Sequence, residues 1–344
     1  MEPAERSAHV LRHTTEAVTE EELAELLETD EQPHVYIGYA PTGEMHIGHF
    51  TTIRKIVDFL QADLQVTVLI ADLHAHLDDA KSPFDLLESR TEYYRLAIEA
   101  MVDAAGGSPD RINFIEGSAF ELEDPYTLDL YRLAAETTTT RATRAASEVV
   151  RDQESPTVGS ILYPLMQALD VDALDADIAY GGIDQRGIYM LAREILPQLD
   201  RDKPVCLFAP LLSGLEGGKM SASERTSAVW LTDSVDAVDE KVGAAYCPAG
   251  ELEENGILEY LEYLVFPALA PEATFEIERP EEYGGTLVYE SYAALEEDFL
   301  SGELHPADLK PAAAEAIAEL IAPVRTTLLE YPDVLAAAYP DRYA

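Results

Sequence analysis

Pro41-Thr42-Gly43-Glu44-Met45-His46-Ile47-Gly48-His49 is the stretch from which the rest of the chain is read. An apolar, β-leaning run precedes it, His34 to Tyr39. Apolar residues at helical spacing follow it, at Ile53, Ile56, Val57 and Leu60. It therefore reads as strand, Pro/Gly turn and a helix that begins near His46. His46 and His49, three apart on the first turn, point the same way. They stand where unpaired backbone N–H groups and the helix dipole favour anions. Gly48 carries no side chain, so a flat ring can lie on the backbone there. Phosphates on the histidines and an adenine on the glycine fit this geometry. A capped helix with two surface histidines fits it as well.

A second stretch, Gly217-Gly218-Lys219-Met220-Ser221-Ala222-Ser223, lies far downstream in glycine and serine. An ammonium and hydroxyls on flexible backbone suit a loop that closes over phosphates. An ordinary linker has the same composition, but the chain has only six lysines and one sits in this loop. With the two stretches in this order, the chain resembles the class I aminoacyl-tRNA synthetases. His46-Ile47-Gly48-His49 matches the HIGH motif unchanged. Lys219-Met220-Ser221-Ala222-Ser223 matches the KMSKS loop with Ala222 at the fourth position, which leaves Lys219 as the loop's cation.

The composition narrows the class. The chain has 344 residues, 47% of them hydrophobic, enough for two domains with a large core. No apolar run approaches a membrane span, and Met1 to Thr19 has no signal-peptide core. Cys206 and Cys247 form neither a disulfide framework nor a metal site and read as buried thiols. A cytoplasmic protein without a structural metal is expected. Acids number 66 against 23 bases, a net charge of −43, and the acids are spread along the chain. Such a chain repels itself and RNA at ordinary salt. At molar salt the screening length is about 3 Å and the repulsion fades. This reads as adaptation to a salt-rich, halophilic cytoplasm, and isolated acids are discounted as functional residues accordingly. A dedicated binder of cations or basic proteins would concentrate its acids in one block.

Along the chain, strands are expected at His34–Tyr39, Leu64–Ala71, Arg111–Glu116, Asp177–Gly181 and Pro204–Ala209, with helices at Met45–Ala62, Pro83–Ala104 and Val158–Val171 between them. The alternation predicts an α/β fold with a doubly wound parallel, Rossmann-like sheet. Ligands bind at the C-terminal strand ends of such sheets, where the Pro41 turn, Asp72 to His74, and Asp184 with Gln185 belong. Residues 117–156 read as a helical insertion, with a helix over Asp124–Thr140 followed by Arg141, Arg144 and Arg151. These arginines read either as salt bridges on a helix surface or as a surface for a partner subunit or tRNA. Tyr163, Gln167 and Asp170 share one face of the Val158 helix. On spacing alone that face is solvated. After Trp230 only helices are expected, at Val235–Tyr246, Ile257–Phe266, Leu287–Leu300 and Pro306–Tyr331. The chain is thus divided into a catalytic domain, 1–230, with the loop at 213–227, and an all-α domain, 231–344. Residues 332–344 receive no role.

Further segments are similar to the archaeal-type tyrosyl-tRNA synthetases, and the acidity suggests a haloarchaeal one. They are Tyr36-Ile37-Gly38, Ala71-Asp72-Leu73-His74, Tyr163 to Asp170, Gly181 to Gln185 and Glu303-Leu304-His305-Pro306. The resemblance implies activation of L-tyrosine with ATP and Mg2+, transfer to tRNA(Tyr), and a homodimer formed through the insertion. It implies that Tyr36 and Asp170 bind the phenol, that Tyr163, Gln167 and Gln185 hold the α-amino group, and that His74 lies beside the pocket. It gives Asp184 and Gly48 to ATP, His46, His49, Lys219, Ser221 and Ser223 to the phosphates, and Tyr283, His305 and Asp308 to the anticodon. An acceptor-only carboxylate facing a phenol penalises phenylalanine, which leaves it unpaired. Gly187 departs from the family by lacking a basic side chain. A tryptophanyl-tRNA synthetase, a non-catalytic RNA-binding derivative and a small-molecule nucleotidyltransferase are the alternatives. Tyr36 with Asp170, the intact motifs, and the helical second domain argue against them in turn.

Overall fold

The computed structural model describes residues 3–78, 81–149, 156–218, 220 and 225–343. Arg151, Lys219, Ser221 and Ser223, singled out by sequence, lie outside the described residues. The chain folds as two compact units, one of residues 1–43, 52–211 and 332–344, the other of 44–51 and 212–331.

The first unit opens with α1 (Pro3–Leu11), β1 (Glu16–Val18) and α2 (Glu20–Thr29). Thr19 caps α2 by accepting from the Glu22 N–H at 3.1 Å, and three acids in the first turn suit the helix dipole. The sheet continues through β2 (His34–Tyr39), β3 (Gln65–Ile70), β4 (Ile112–Glu116), β5 (Ile178–Gly182) and β6 (Val205–Ala209). Its order is β1-β6-β5-β2-β3-β4. Strands β2 to β6 pair parallel, and β1 pairs antiparallel to β6 at the edge. Sequence reading gave Met1 to Thr19 no element, only the lack of a signal-peptide core, so this edge strand is an addition. β3 is buried at all but its first residue, as its Val/Ile/Leu run requires of an inner parallel strand.

The connections are α3 (Phe50–Gln61), α4 (Asp72–Leu77), α5 (Phe84–Ala104), α6 (Asp124–Glu136), α7 (Thr139–Ala145), α8 (Val158–Ala173) and α9 (Arg186–Ile195). The expected helix over Asp124–Thr140 is two helices. It stops at Glu136, and Thr138 caps α7 by accepting from the Arg141 N–H at 3.4 Å. A threonine hydroxyl competes for backbone donors and so ends helices more readily than it continues them. α8 is not solvated on its polar face: Tyr163 and Asp170 are buried, and Gln167 is half-buried. β2 lies between β3 and β5, so the chain winds outward in both directions from it. The C-terminal end of β2 is therefore the switch point of the sheet.

The second unit carries α10 (Val235–Ala244), α11 (Gly256–Tyr260), α12 (Phe266–Ala268), β7 (Phe275–Ile277), β8 (Leu287–Tyr289), α13 (Tyr292–Ser301) and α14 (Pro306–Leu329). It is helical apart from a two-stranded antiparallel ribbon, β7 with β8. The expected helix at Leu287 begins only at Tyr292, where Ser291 accepts from the Ala294 N–H.

Residues 332–343 return to the first unit as α15 (Pro332–Ala338) and a further turn. Tyr339 packs edge-on against Tyr93 of α5 at 5.0 Å between ring centres. Arg90 of α5 donates to Ala338 O at 3.3 Å, Thr42 O at 3.2 Å, Lys81 O at 3.0 Å and Ser82 Oγ at 3.0 Å. The Tyr94 hydroxyl donates to Gly43 O at 2.8 Å. The turn after β2 is thus tied to α5, and α5 to the chain's distal segment.

Candidate active site

In the first unit, strand ends and helix starts converge on Asp170. It is 1% exposed near the end of α8. The Tyr126 hydroxyl, from α6, donates to its Oδ1 at 2.7 Å and lies 3.0 Å from Met166 O. Tyr36 on β2 is buried, its hydroxyl 3.4 Å from Gln167 O and its ring edge-on to Tyr189 at 6.2 Å. Burial keeps both phenols protonated, with Asp170 pushing the same way. Gln167 Nε2 donates to Gln185 Oε1 at 3.1 Å, while Gln167 Oε1 is buried without a donor. Tyr163 stands edge-on to the His74 ring at 4.8 Å.

Asp184 and Gln185 follow β5 in a single helical turn. A Cβ at Gly182 would lie 2.6 Å from Asp184 Oδ1, and one at Gly181 3.1 Å from Gln185 Cγ. The glycines therefore leave room for these two side chains. Gly187, the departure noted above, has a packing cause: a side chain there would collide with the Ala145 carbonyl of α7.

His74 lies between two carboxylates, Nδ1 3.4 Å from Glu121 Oε1 and Nε2 3.6 Å from Asp170 Oδ2. All three side chains are buried. Their ligand atoms fall within 4.8 Å of one another, but the carboxylates face opposite nitrogens of one ring. A single ion takes only one ring nitrogen, so the cluster is an imidazole held between anions. Glu121, with Asp170 and Asp72, pushes the imidazole up to about 9 against burial, which opposes its charge. Asp170 is pushed up to about 8 by burial and by Glu121, against the pull of His74 and Tyr126. Sequence reading named His74 and Asp170 but neither Glu121 nor Tyr126.

The second unit holds the two histidines. The expected helix starts instead as a 3-10 turn, Ile47–His49, which α3 continues. The Gly48 N–H donates to His46 Nδ1 at 3.2 Å, and the His46 N–H to His49 Nδ1 at 3.1 Å. These reciprocal caps satisfy two N-terminal donors of the turn. As the acceptor from Gly48, His46 Nδ1 leaves that ring's proton on Nε2, while His49 Nδ1 also lies 3.1 Å from the His46 carbonyl. The rings stand 4.3 Å apart. Burial draws His49 down to about 4 and His46 well below its ordinary value, so both are neutral donors at neutral pH. The segment is held by Ile47 N–H to Val229 O at 2.8 Å and by the Trp230 ring, edge-on to His46 at 5.7 Å. A Cβ on Gly48 would lie 3.0 Å from the His46 ring and 3.1 Å from Met220 Cε.

The three anticodon candidates share the second unit. Tyr283 is 65% exposed in a one-turn helix. His305 caps α14, its Nδ1 accepting from the Ala307 N–H at 3.1 Å, and Asp308 lies in the same first turn. Arg279 joins the two loops, donating to Gly285 O at 2.8 Å and Glu303 O at 2.9 Å.

The first unit thus gathers Tyr36, His74, Tyr126, Gln167 and Asp170 around buried acceptors, and Gln167 Oε1 and Asp170 Oδ2 take no hydrogen bond among the described residues. Residues 28–322 match the family model for class I tRNA synthetases (W and Y). A tyrosine–tRNA ligase of Natronomonas pharaonis is 67% identical over the whole of both chains, and that of Haloarcula marismortui 65%, covering 100% of this chain and 99% of its own. The tyrosyl-tRNA synthetase of Archaeoglobus fulgidus, solved with L-tyrosine, is 42% identical with a TM-score of 0.88, covering 95% of this chain and all of its own. The chain belongs to the class I tRNA synthetases (W and Y), and within them to the archaeal-type tyrosine–tRNA ligases. A tryptophanyl-tRNA synthetase of Giardia lamblia, at 18% identity and a TM-score of 0.68, shares the fold alone. No helix among the described residues is long and apolar enough to cross a membrane.

Proposed function

We propose that Asp170 and Tyr36 read the phenol of L-tyrosine, and that the chain joins this tyrosine to ATP and then to tRNA(Tyr). The observation that carries the assignment is the buried Asp170 carboxyl, already taking one hydrogen bond from Tyr126. In its ionised form it accepts a hydrogen bond from the phenol O–H, one that phenylalanine cannot supply. The buried, donor-less Gln167 Oε1 supports an α-ammonium contact shared with Tyr163 and Gln185.

The tyrosine carboxylate oxygen attacks the ATP α-phosphorus in line, and the bond to pyrophosphate breaks. Mg2+ arrives with ATP as part of the substrate. No protein nucleophile is needed, and the rate comes from positioning and from donors on the developing phosphate oxygens. His46 acts there as a neutral Nε2–H donor, with the neutral His49 beside it. The cation falls to Lys219, with Ser221 and Ser223 as further contacts. Gly48 takes the adenine and Asp184 the ribose of ATP. The 2′- or 3′-oxygen of the tRNA's terminal ribose then attacks the tyrosyl carbonyl and AMP leaves.

Residues 231–331 serve as the anticodon domain, with Tyr283 as a stacking platform and His305 and Asp308 on base edges. The inserted helices carry a homodimer surface, supported by Leu122 and Tyr131, 68% and 66% exposed. The expected compartment is the cytoplasm. ATP–pyrophosphate exchange in molar KCl with Mg2+ tests the reading, with tyrosine, phenylalanine and tryptophan compared. Exchange with tyrosine alone is expected. Exchange with tryptophan means the pocket is misassigned, and none from folded protein means the chain does not activate amino acids.

A further inference from the structure

His74, Glu121 and Asp170 lie buried together in the first unit, and only one of the three is basic. Glu121 is 3% exposed, follows a one-turn helix after β4, and has His74 as its one partner among the described residues. Its position is built in: the Glu121 N–H donates to Gly117 O at 2.9 Å, and a side chain on Gly117 would collide with the Glu121 carboxylate. Asp72 lies on the same side of the imidazole but is engaged by the Ser118 N–H at 2.9 Å. The remaining groups around Asp170 are phenols, Tyr126 from α6, Tyr36 from β2, Tyr163 from α8 and Tyr189 from α9. Glu121 thus faces the nitrogen of His74 that points away from Asp170.

We propose that Glu121 is a positioning residue for the phenol site. As the second carboxylate on His74, it decides whether Asp170 meets the substrate phenol as a charged acceptor. The inference rests on the reading that Asp170 faces the phenol.

Two buried anions against one cation leave an uncompensated charge, which is costly in a low-dielectric site. The cluster relieves it by keeping one extra proton on a carboxyl. Asp170, pushed up to about 8, is the carboxyl that takes it. The protons belong to the coupled cluster, so the behaviour is read as a pH profile of the whole site. With glutamine at position 121, His74 and Asp170 form a neutral pair and Asp170 is ionised at neutral pH. Below a midpoint of about 8, the extra proton stays in the cluster and Asp170 is held mostly protonated in the parent.

The test is kcat/KM for tyrosine in pyrophosphate exchange from pH 6.5 to 8.5, for the parent, Glu121→Gln and Asp170→Asn. Titration of the substrate's amine is common to all three and cancels in ratios. Glu121→Gln is expected to exceed the parent severalfold at pH 7, with the ratio shrinking toward parity as pH rises. A constant ratio across the range overturns the inference. Asp170→Asn separates the two levels: if it leaves kcat/KM for tyrosine unchanged, the phenol reading itself fails. Calorimetric tyrosine binding to the parent in buffers of different ionisation enthalpy gives the proton count directly. Net proton release at pH 7 is expected, and zero release overturns the inference even if Glu121→Gln does not fold.

Discussion

The Tyr126 hydroxyl donates to Asp170 Oδ1 at 2.7 Å, while the carboxyl's other oxygen, Oδ2, faces the His74 ring. The two oxygens of one carboxyl therefore have different neighbours, a neutral donor and a titrating ring. Tyr126→Phe removes the donor and leaves the acceptor buried. A hydrogen bond to a charged group is worth about 1.5–3 kcal/mol. KM for tyrosine is expected to rise at least about tenfold with kcat little changed, as steady-state exchange kinetics will show.

Gly48 has ring and thioether neighbours on its open side. Gly48→Ala sets a methyl 3.0 Å from the His46 ring and 3.1 Å from Met220 Cε. Displacing the His46 ring misdirects its Nε2–H. Loss of alignment by a fraction of an ångström costs on the order of tenfold or more in rate. kcat for exchange is expected to drop while tyrosine affinity, measured by equilibrium binding, stays within twofold.

Lys219→Ala removes the loop's cation. Pyrophosphate exchange is expected to slow by at least about a hundredfold, with tyrosine binding preserved, because the contact forms in the transition state. An unchanged exchange rate contradicts the assignment.

The neutral histidines give the protein an acid limit. His49 sits at about 4 when folded and near 6.5 when unfolded, so the unfolded chain takes the proton first as pH falls. The stability is full above pH 6.5 and is lost toward pH 4, by about 3 kcal/mol. His49→Asn retains an acceptor near the Nδ1 position and does not titrate. Its denaturation midpoint in molar KCl, compared with the parent's, should lose less between pH 6.5 and 4. Equal slopes for the two proteins refute this.

Strands β2 to β6 were legible because each announces itself locally. Gln65 to Ile70 is apolar throughout, and the Pro41 and Gly182 turns mark strand ends. The histidine pair was legible because two side chains and a glycine suffice to fix a turn. The charge state of that pair was not, since it depends on Val229, Trp230 and Met220, far away in sequence. Asp170 stood on a stripe that spacing alone gives to solvent, and only the family's resemblance gave it a pocket. Glu121 was lost among 66 acids. Discounting acids on a chain of this charge is sound for the surface and fails for a carboxylate sealed behind His74. The break at Thr137 and Thr138 and the ribbon at Phe275 and Leu287 were hidden because caps and strand partners override short-range periodicity.

The contact from Arg90 to Ala338 joins residues 248 apart, and the same guanidinium holds Thr42 O in the turn before the histidines. In a chain that is synthesised in order, β2, its turn and α5 are made long before α15. Arg90 can complete its set of acceptors only when α15 has emerged and docked. The turn that leads into His46 is therefore finished late, after both units of the chain exist as polypeptide. A nascent chain still lacking α15 would carry the whole parallel sheet and yet hold that turn by fewer bonds.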